Sequence, residues 1–194
     1  MVGHSTRTKR GISLAFDFLD PPYDRQGKSG WGHLYPTDQI VSMFDDVLSI
    51  TKPNRILEIG FYKGHSTAIW AELFDGEIIS CCPDHPMFRK WSPIIQEKYP
   101  NVKVFAVESP LISEVVPRDT DLVFIDGNHM FYNVVLDITV ATKLLNSKWV
   151  FFDDHENTRV LDAIDKFPLD LSMSKLYNID HKEFGLYEIR THDI

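Results

Sequence analysis

Cysteine is nearly missing from this chain: two among 194 residues, Cys81 and Cys82, adjacent to each other. Neighbouring cysteines rarely bridge, and there is no third to pair with. A disulfide framework is excluded, and the chain reads as a reduced, cytoplasmic protein. Long apolar runs are lacking too. None approaches the roughly 20 residues that a bilayer crossing takes, so no membrane partner is expected. The opening MVGHSTRTKRG is polar and basic with no apolar segment behind it, which is not the pattern of a secretory signal. Positive charge is also in short supply. Against 28 acidic residues stand 20 Lys and Arg, for a net charge of −8. Phosphate contacts supply most nucleic-acid affinity, so DNA and RNA are poor partners. The one basic cluster, Arg7, Lys9 and Arg10, reads as a solvated tail. A small-molecule partner fits the balance best.

What is present is the composition of one soluble domain, 43% hydrophobic and 25% charged. No repeat or low-complexity tract interrupts it. Residues 1–35 form a loosely patterned N-terminal segment broken by Pro21, Pro22, Gly27, Gly30 and Gly32. Within it Ile12, Leu14, Phe16 and Phe18 alternate as in a short extended piece. Phe18, Trp31, His33 and Tyr35 are candidates for a lid. Gly27-Lys28-Ser29 looks superficially like a phosphate loop, but Pro22 stands where a glycine is needed and no buried strand precedes it.

Residues 36–194 read as a single domain. Thr37 is placed to cap a helix carrying Ile40, Met43, Phe44, Val47 and Leu48 at helical spacing. Strand and helix then alternate: strands at Arg55–Ile59, Glu77–Cys81, Val102–Val107, Asp121–Asp126 and Lys148–Asp153, with helical patterns between and after them. One helix is expected to restart at Ser92-Pro93. Phe131, Val134, Val135, Ile138, Ala141 and Leu145 make the clearest amphipathic face. The chain ends on two strand-like runs, Leu171–Ile179 and Phe184–Arg190, which should pair antiparallel. Alternation of this kind means an α/β fold, a parallel sheet with helices on both faces.

The sharpest motif follows the first strand: Glu58-Ile-Gly60-Phe61-Tyr62-Lys-Gly64-His65-Ser66. Glycines at a strand-to-helix turn let the backbone approach a ligand, and the next helix offers unpaired N–H groups to an anion. A dinucleotide fingerprint would want glycine in place of Tyr62. Acidic residues mark two later strand ends, Asp126-Gly127-Asn128-His129 and Asp153-Asp154-His155-Glu156-Asn157.

The stretch LEIGFYKGHST resembles motif I of class I S-adenosylmethionine (SAM)-dependent methyltransferases, the small family-24 type and the metal-dependent O-methyltransferases above all. IDGNH with FFDDH is similar to the metal-binding arrangement of the macrocin-type enzymes. The resemblance spans roughly residues 36–160. It implies a Rossmann-like fold with a seven-stranded, mostly parallel sheet in the order 3-2-1-4-5-7-6, strand 7 antiparallel. It implies SAM as methyl donor, a small hydroxylated acceptor, and a homodimer as in many family members. By residue, it sets the turn from Gly60 through Phe61 and Tyr62 to Gly64, with His65 and Ser66 at the helix start, against the methionine part of SAM. Glu58 would lie near the ammonium. Relatives carry an acidic ribose ligand at the second strand's end. Here that position holds Cys82, so either Asp84 reaches back or the ribose is held more weakly. Glu108 would meet adenine or stay solvated. Asp126 would face cofactor or metal.

The same resemblance makes Asp126, Asp153 and Asp154 ligands of a hard divalent cation, Mg2+ first. Asn128 departs from the usual aspartate. Asp154 could instead cap the helix that follows. A cation lowers the pKa of an acceptor hydroxyl, and a neutral histidine, His129 or His155, then takes the proton. The competing readings are a non-catalytic SAM-binding protein that kept the fold and a nicotinamide-dependent α/β enzyme.

Overall fold

Thr37 accepts a hydrogen bond from the Ile40 N–H on its Oγ1 (3.2 Å), capping α1 (Asp38–Thr51) as its sequence predicts. The computed structural model describes Leu34 and residues 36–167, 170–179 and 181–190. The alternating stretch at Ile12–Phe18 and the lid candidates Phe18, Trp31, His33 and Tyr35 lie outside the described residues.

After α1 come β1 (Arg55–Ile59), α2 (His65–Leu73), β2 (Glu77–Cys82), α3 (Pro86–Lys98), β3 (Val102–Ala106) and the short α4 (Ser109–Ile112). Then follow β4 (Leu122–Ile125), α5 (Phe131–Thr139), β5 (Trp149–Phe152), α6 (Thr158–Lys166), β6 (Asp170–Ile179) and β7 (Lys182–Arg190). The seven strands form one sheet in the order β3-β2-β1-β4-β5-β7-β6. The first five run parallel, and β7 is antiparallel to both β5 and β6. The order and the lone antiparallel insertion are those the resemblance implied.

Strands buried on both faces explain the near-continuous apolar runs. Along β1 the side chains alternate between two cores. Ile56 packs with Phe44, Ile69, Trp70 and Trp91 beneath α1, α2 and α3, whereas Leu57 packs with Val134, Ile138, Ala163 and Ile164 beneath α5 and α6. Trp70 is fully buried with its ring centroid 4.2 Å from that of Phe44. Among the described residues no helix is long and apolar enough to cross a membrane.

Three local expectations are corrected. Helix α3 does not restart at Ser92-Pro93; it runs through Pro93 and is capped by His85, whose Nδ1 accepts from Phe88 N–H. Pro93 and Arg89 both face solvent, so the Arg89 carbonyl left without its helical donor can be hydrated. The helix opening on Phe131 widens into a π turn at Val140–Leu144, with Leu145 N–H bonded five residues back to Val140. Asp154 does not cap α6. Asn157 does, accepting from Arg159 N–H.

Candidate functional site

The five parallel strands end in line. Ala106 of β3 pairs with Cys82 of β2, Cys81 with Ile59 of β1, Ile59 with Ile125 of β4, and Ile125 with Phe152 of β5. One residue further on the rung continues: Gly60 N–H bonds Cys81 O (2.8 Å), Asp126 N–H bonds Ile59 O (2.8 Å), and Asp153 N–H bonds Ile125 O (3.0 Å). The glycine turn and both acidic strand ends therefore open on one edge. Strand order reverses between β1 and β4, at Gly60 and Asp126, the place where open α/β sheets bind ligands.

Gly60 and Gly64 have φ of +122° and +79°. A Cβ on Gly60 would overlap the Asp126 carbonyl, and one on Gly64 would stand 2.8 Å from the Phe61 ring. Both positions therefore need glycine, because the turn packs closely against the β4 end and the Phe61 ring. Helix α2 starts on Gly64 without a side-chain cap, so its first N–H groups suit an anion such as an amino-acid carboxylate. Phe61 is turned into the core against Phe88, while Tyr62 is half-exposed beside the His85 ring. His65 and Ser66 are buried at the helix start.

Glu58 is fully buried beneath the turn. The hydroxyls of Thr67 and Ser80 donate to its Oε2, and Oε1 is left without a partner. Burial pushes its carboxyl above the usual range, against the hydroxyls of Ser66, Ser80 and Thr67. A cationic group of a ligand would offset that cost.

At the next strand end Cys82 is buried, with Sγ 3.6 Å from His85 Nε2 and its thiol pushed up to about 11 by burial. Asp84 lies two residues past the end of β2. It is exposed and bound by Arg89 through two bonds, Nε to Oδ1 (2.8 Å) and Nη2 to Oδ2 (2.5 Å). This end of the edge is lined by Tyr62, Cys82 and His85. His85 was not singled out from sequence; its place follows from capping α3 beside Cys82. Glu108 is exposed just before α4, whereas the next residue, Ser109, donates to Asp137 Oδ1.

The acidic edge is tighter. Asp126, His129 and Asp153 can each offer a ligand atom, all within 4.8 Å of one another. Asp153 is 2% exposed, and its Oδ1 has no hydrogen-bond partner; neither has His129 Nε2. Burial and the charge of Asp153 push the Asp126 carboxyl well above the usual range. Unmatched acceptors beside crowded carboxylates suit a hard cation, and the donor set fits one. Asp154 is not in that set. With φ of +49° it turns its Oδ2 to His129 Nδ1 (2.7 Å) and its Oδ1 to Lys182 Nζ (2.9 Å). Burial opposes its ionisation, but His129 and Lys182 outweigh that and pull its carboxyl down to about 2. Asn128 Oδ1 accepts from Met130 N–H, closing the turn after β4.

The two histidines separate cleanly. His155 is buried behind the edge, Nε2 2.7 Å from the Tyr187 hydroxyl. His129 faces the acidic edge. Burial pushes its pKa down, yet the bond and charge of Asp154 and the charge of Asp153 outweigh this and leave it raised. Lys182, which no local motif indicated, comes from the far hairpin; its Nζ is 2.5 Å from Asp153 Oδ2.

Fold and edge together define a class I methyltransferase architecture, with a glycine turn, an open helix end and an acidic corner at the strand-order reversal. The chain belongs to the family-24 methyltransferase domain, whose sequence profile matches residues 57–155. A similar sequence is an uncharacterised protein of Acanthamoeba polyphaga mimivirus, 27% identical over 88 residues, 43% of this chain. The match spans 40% of that viral protein's length. Among solved structures, a cofactor-bound protein from MTB superposes with a TM-score of 0.67 at 18% identity, over 94% of this chain and 89% of that one. The O-methyltransferase from Bacillus cereus in complex with SAH gives 0.60 at 17%, over 93% and 97%. The SAH-bound methyltransferase PaMTH1 of Podospora anserina gives 0.59 at 20%, over 99% and 100%. At these identities the likeness establishes the fold.

Proposed function

We propose that the chain is a SAM-dependent methyltransferase acting on the hydroxyl oxygen of a small molecule, assisted by a divalent cation, Mg2+ first. The observation that carries this reading is the continuous rung Cys81–Gly60–Asp126–Asp153, which sets the cofactor cradle against the acidic corner. Family membership and SAH-bound neighbours of the same fold support SAM as donor. In this reading the turn from Gly60 to Gly64 and the start of α2 take the methionine end, and Tyr62, Cys82 and His85 flank the ribose. There the ribose hydroxyls would meet neutral groups in place of the charged acceptor that the resemblance implied.

Transfer is an in-line displacement: the acceptor oxygen bonds to the methyl carbon, the carbon–sulfonium bond breaks, and the hydroxyl proton leaves. Asp126 and Asp153 would hold the cation, which when bound would make that hydroxyl more acidic. His129 takes the proton. Its Nδ1–H donates to Asp154, which leaves the Nε2 lone pair as acceptor, and Asp154 then stabilises the imidazolium.

The test is transfer of labelled methyl from SAM to a panel of phenols and sugars, with and without EDTA. Transfer that EDTA removes and Mg2+ or Mn2+ restores is expected. Undiminished turnover in EDTA overturns the metal role. SAM binding with no transfer to any acceptor favours the non-catalytic reading, and failure to bind either SAM or SAH at millimolar concentration rejects both.

A further inference from the structure

Lys182 opens β7, across the sheet from the loop that follows β5. Its ammonium is 2.5 Å from Asp153 Oδ2 and 2.9 Å from Asp154 Oδ1, so it bridges the two consecutive carboxylates. The backbone beneath it is fixed. His155 N–H bonds Glu183 O (2.9 Å), Glu183 N–H bonds Glu156 Oε2 (2.7 Å), and Phe152 pairs with Gly185 in the β5–β7 ladder. The ammonium also lies 5.5 Å from the Phe184 ring centroid. This is a placed cation, 29% exposed at its side chain, on a stem long enough to swing the charge away.

A hard divalent ion needs carboxylate oxygens at about 2.0 to 2.6 Å. On Asp153 Oδ2 it would require the volume that the ammonium fills. On the unpartnered Oδ1 of the same carboxylate it would sit one carboxylate width from a unit positive charge, in a corner where Asp153 is 2% exposed and screening is weak. In either position, ammonium and metal oppose each other.

We propose that Lys182 is the built-in cation of the acidic corner and competes with the divalent ion for Asp153, the carboxylate the two would share. The inference rests on the metal reading given above. Before metal arrives Lys182 keeps the paired carboxylates from repelling each other, and its charge weakens metal uptake unless it swings away. The hairpin that carries Lys182 thereby sets how tightly the corner holds a cation.

The experiment is Mn2+ titration of the metal-free full chain, by calorimetry and by the loss of the free-ion EPR signal, with no acceptor or turnover involved. Lys182→Met and Lys182→Gln are expected to bind Mn2+ at least tenfold more tightly than wild type. Lys182→Arg, which keeps the charge, is expected to stay within about threefold of it. Thermal melts of each variant confirm folding, and the Gln variant serves if the Met variant does not fold. Equal or weaker Mn2+ binding in the neutral variants overturns the competition and leaves the metal reading standing. Absence of Mn2+ binding from every variant at millimolar concentration overturns the metal reading and this inference together.

Discussion

Asp137 is the residue on which folding and the site bear most directly on each other. It is 3% exposed on the inner face of α5, accepts the Ser109 hydroxyl on Oδ1, and lies near Gly127 in the turn that leads to His129. Burial pushes its carboxyl up to about 7, more than Ser109 and His129 lower it. Between roughly pH 4 and 7 the folded chain therefore keeps a proton that the unfolded chain releases, so stability falls as pH rises through that window and levels off above it. The cost at pH 8 is on the order of 4 kcal/mol. Asp137→Asn keeps an oxygen for Ser109 and cannot ionise. Urea denaturation at pH 5 and pH 8 should show it losing about 2 to 4 kcal/mol less than wild type between the two. Parallel losses in both proteins would contradict a proton-bearing Asp137. Nothing in the sequence announced this carboxyl. The apolar positions around it define the amphipathic face, and an aspartate next to Ile138 reads as part of the wet side until the helix phase is fixed.

Among the elements, the turn between β1 and α2 is held closely at both its glycines. Its first residue touches the Asp126 carbonyl, so the turn and the β4 end cannot move independently. Gly60→Ala combines a positive φ with a backbone overlap and is expected to cost at least about 2 kcal/mol in stability. Where folded, the variant should bind SAH at least tenfold more weakly by calorimetry. Unchanged SAH affinity would detach the turn from the cofactor. The alternating elements, the Thr37 cap and the closing hairpin were legible because each rests on local periodicity or a local hydrogen bond. The misread elements turn on context. Pro93 was expected to break a helix that solvent exposure lets it join, and Asp154 was considered as a cap for α6 although Asn157 stands one turn nearer. Asp84, weighed for the ribose, forms an exposed ion pair with Arg89 five residues on.

For the whole molecule, the line of strand ends from β3 to β5 gathers residues as far apart in sequence as Gly60 and Asp153 onto one edge, and the antiparallel β7 delivers Lys182 to it. That convergence was legible for Gly60, Asp126 and Asp153, which follow the three central strands. Lys182 was not, because its place depends on hairpin register rather than on any motif. The central claim is that the cofactor cradle and the acidic corner are one site. A crystal structure of the chain with SAH and Mn2+ tests it most directly. The homocysteine part should lie along Gly60–Gly64, with the sulfur facing Asp126 and His129 and the Mn2+ anomalous signal on Asp153. SAH bound elsewhere, or its sulfur turned away from that corner, would contradict the account.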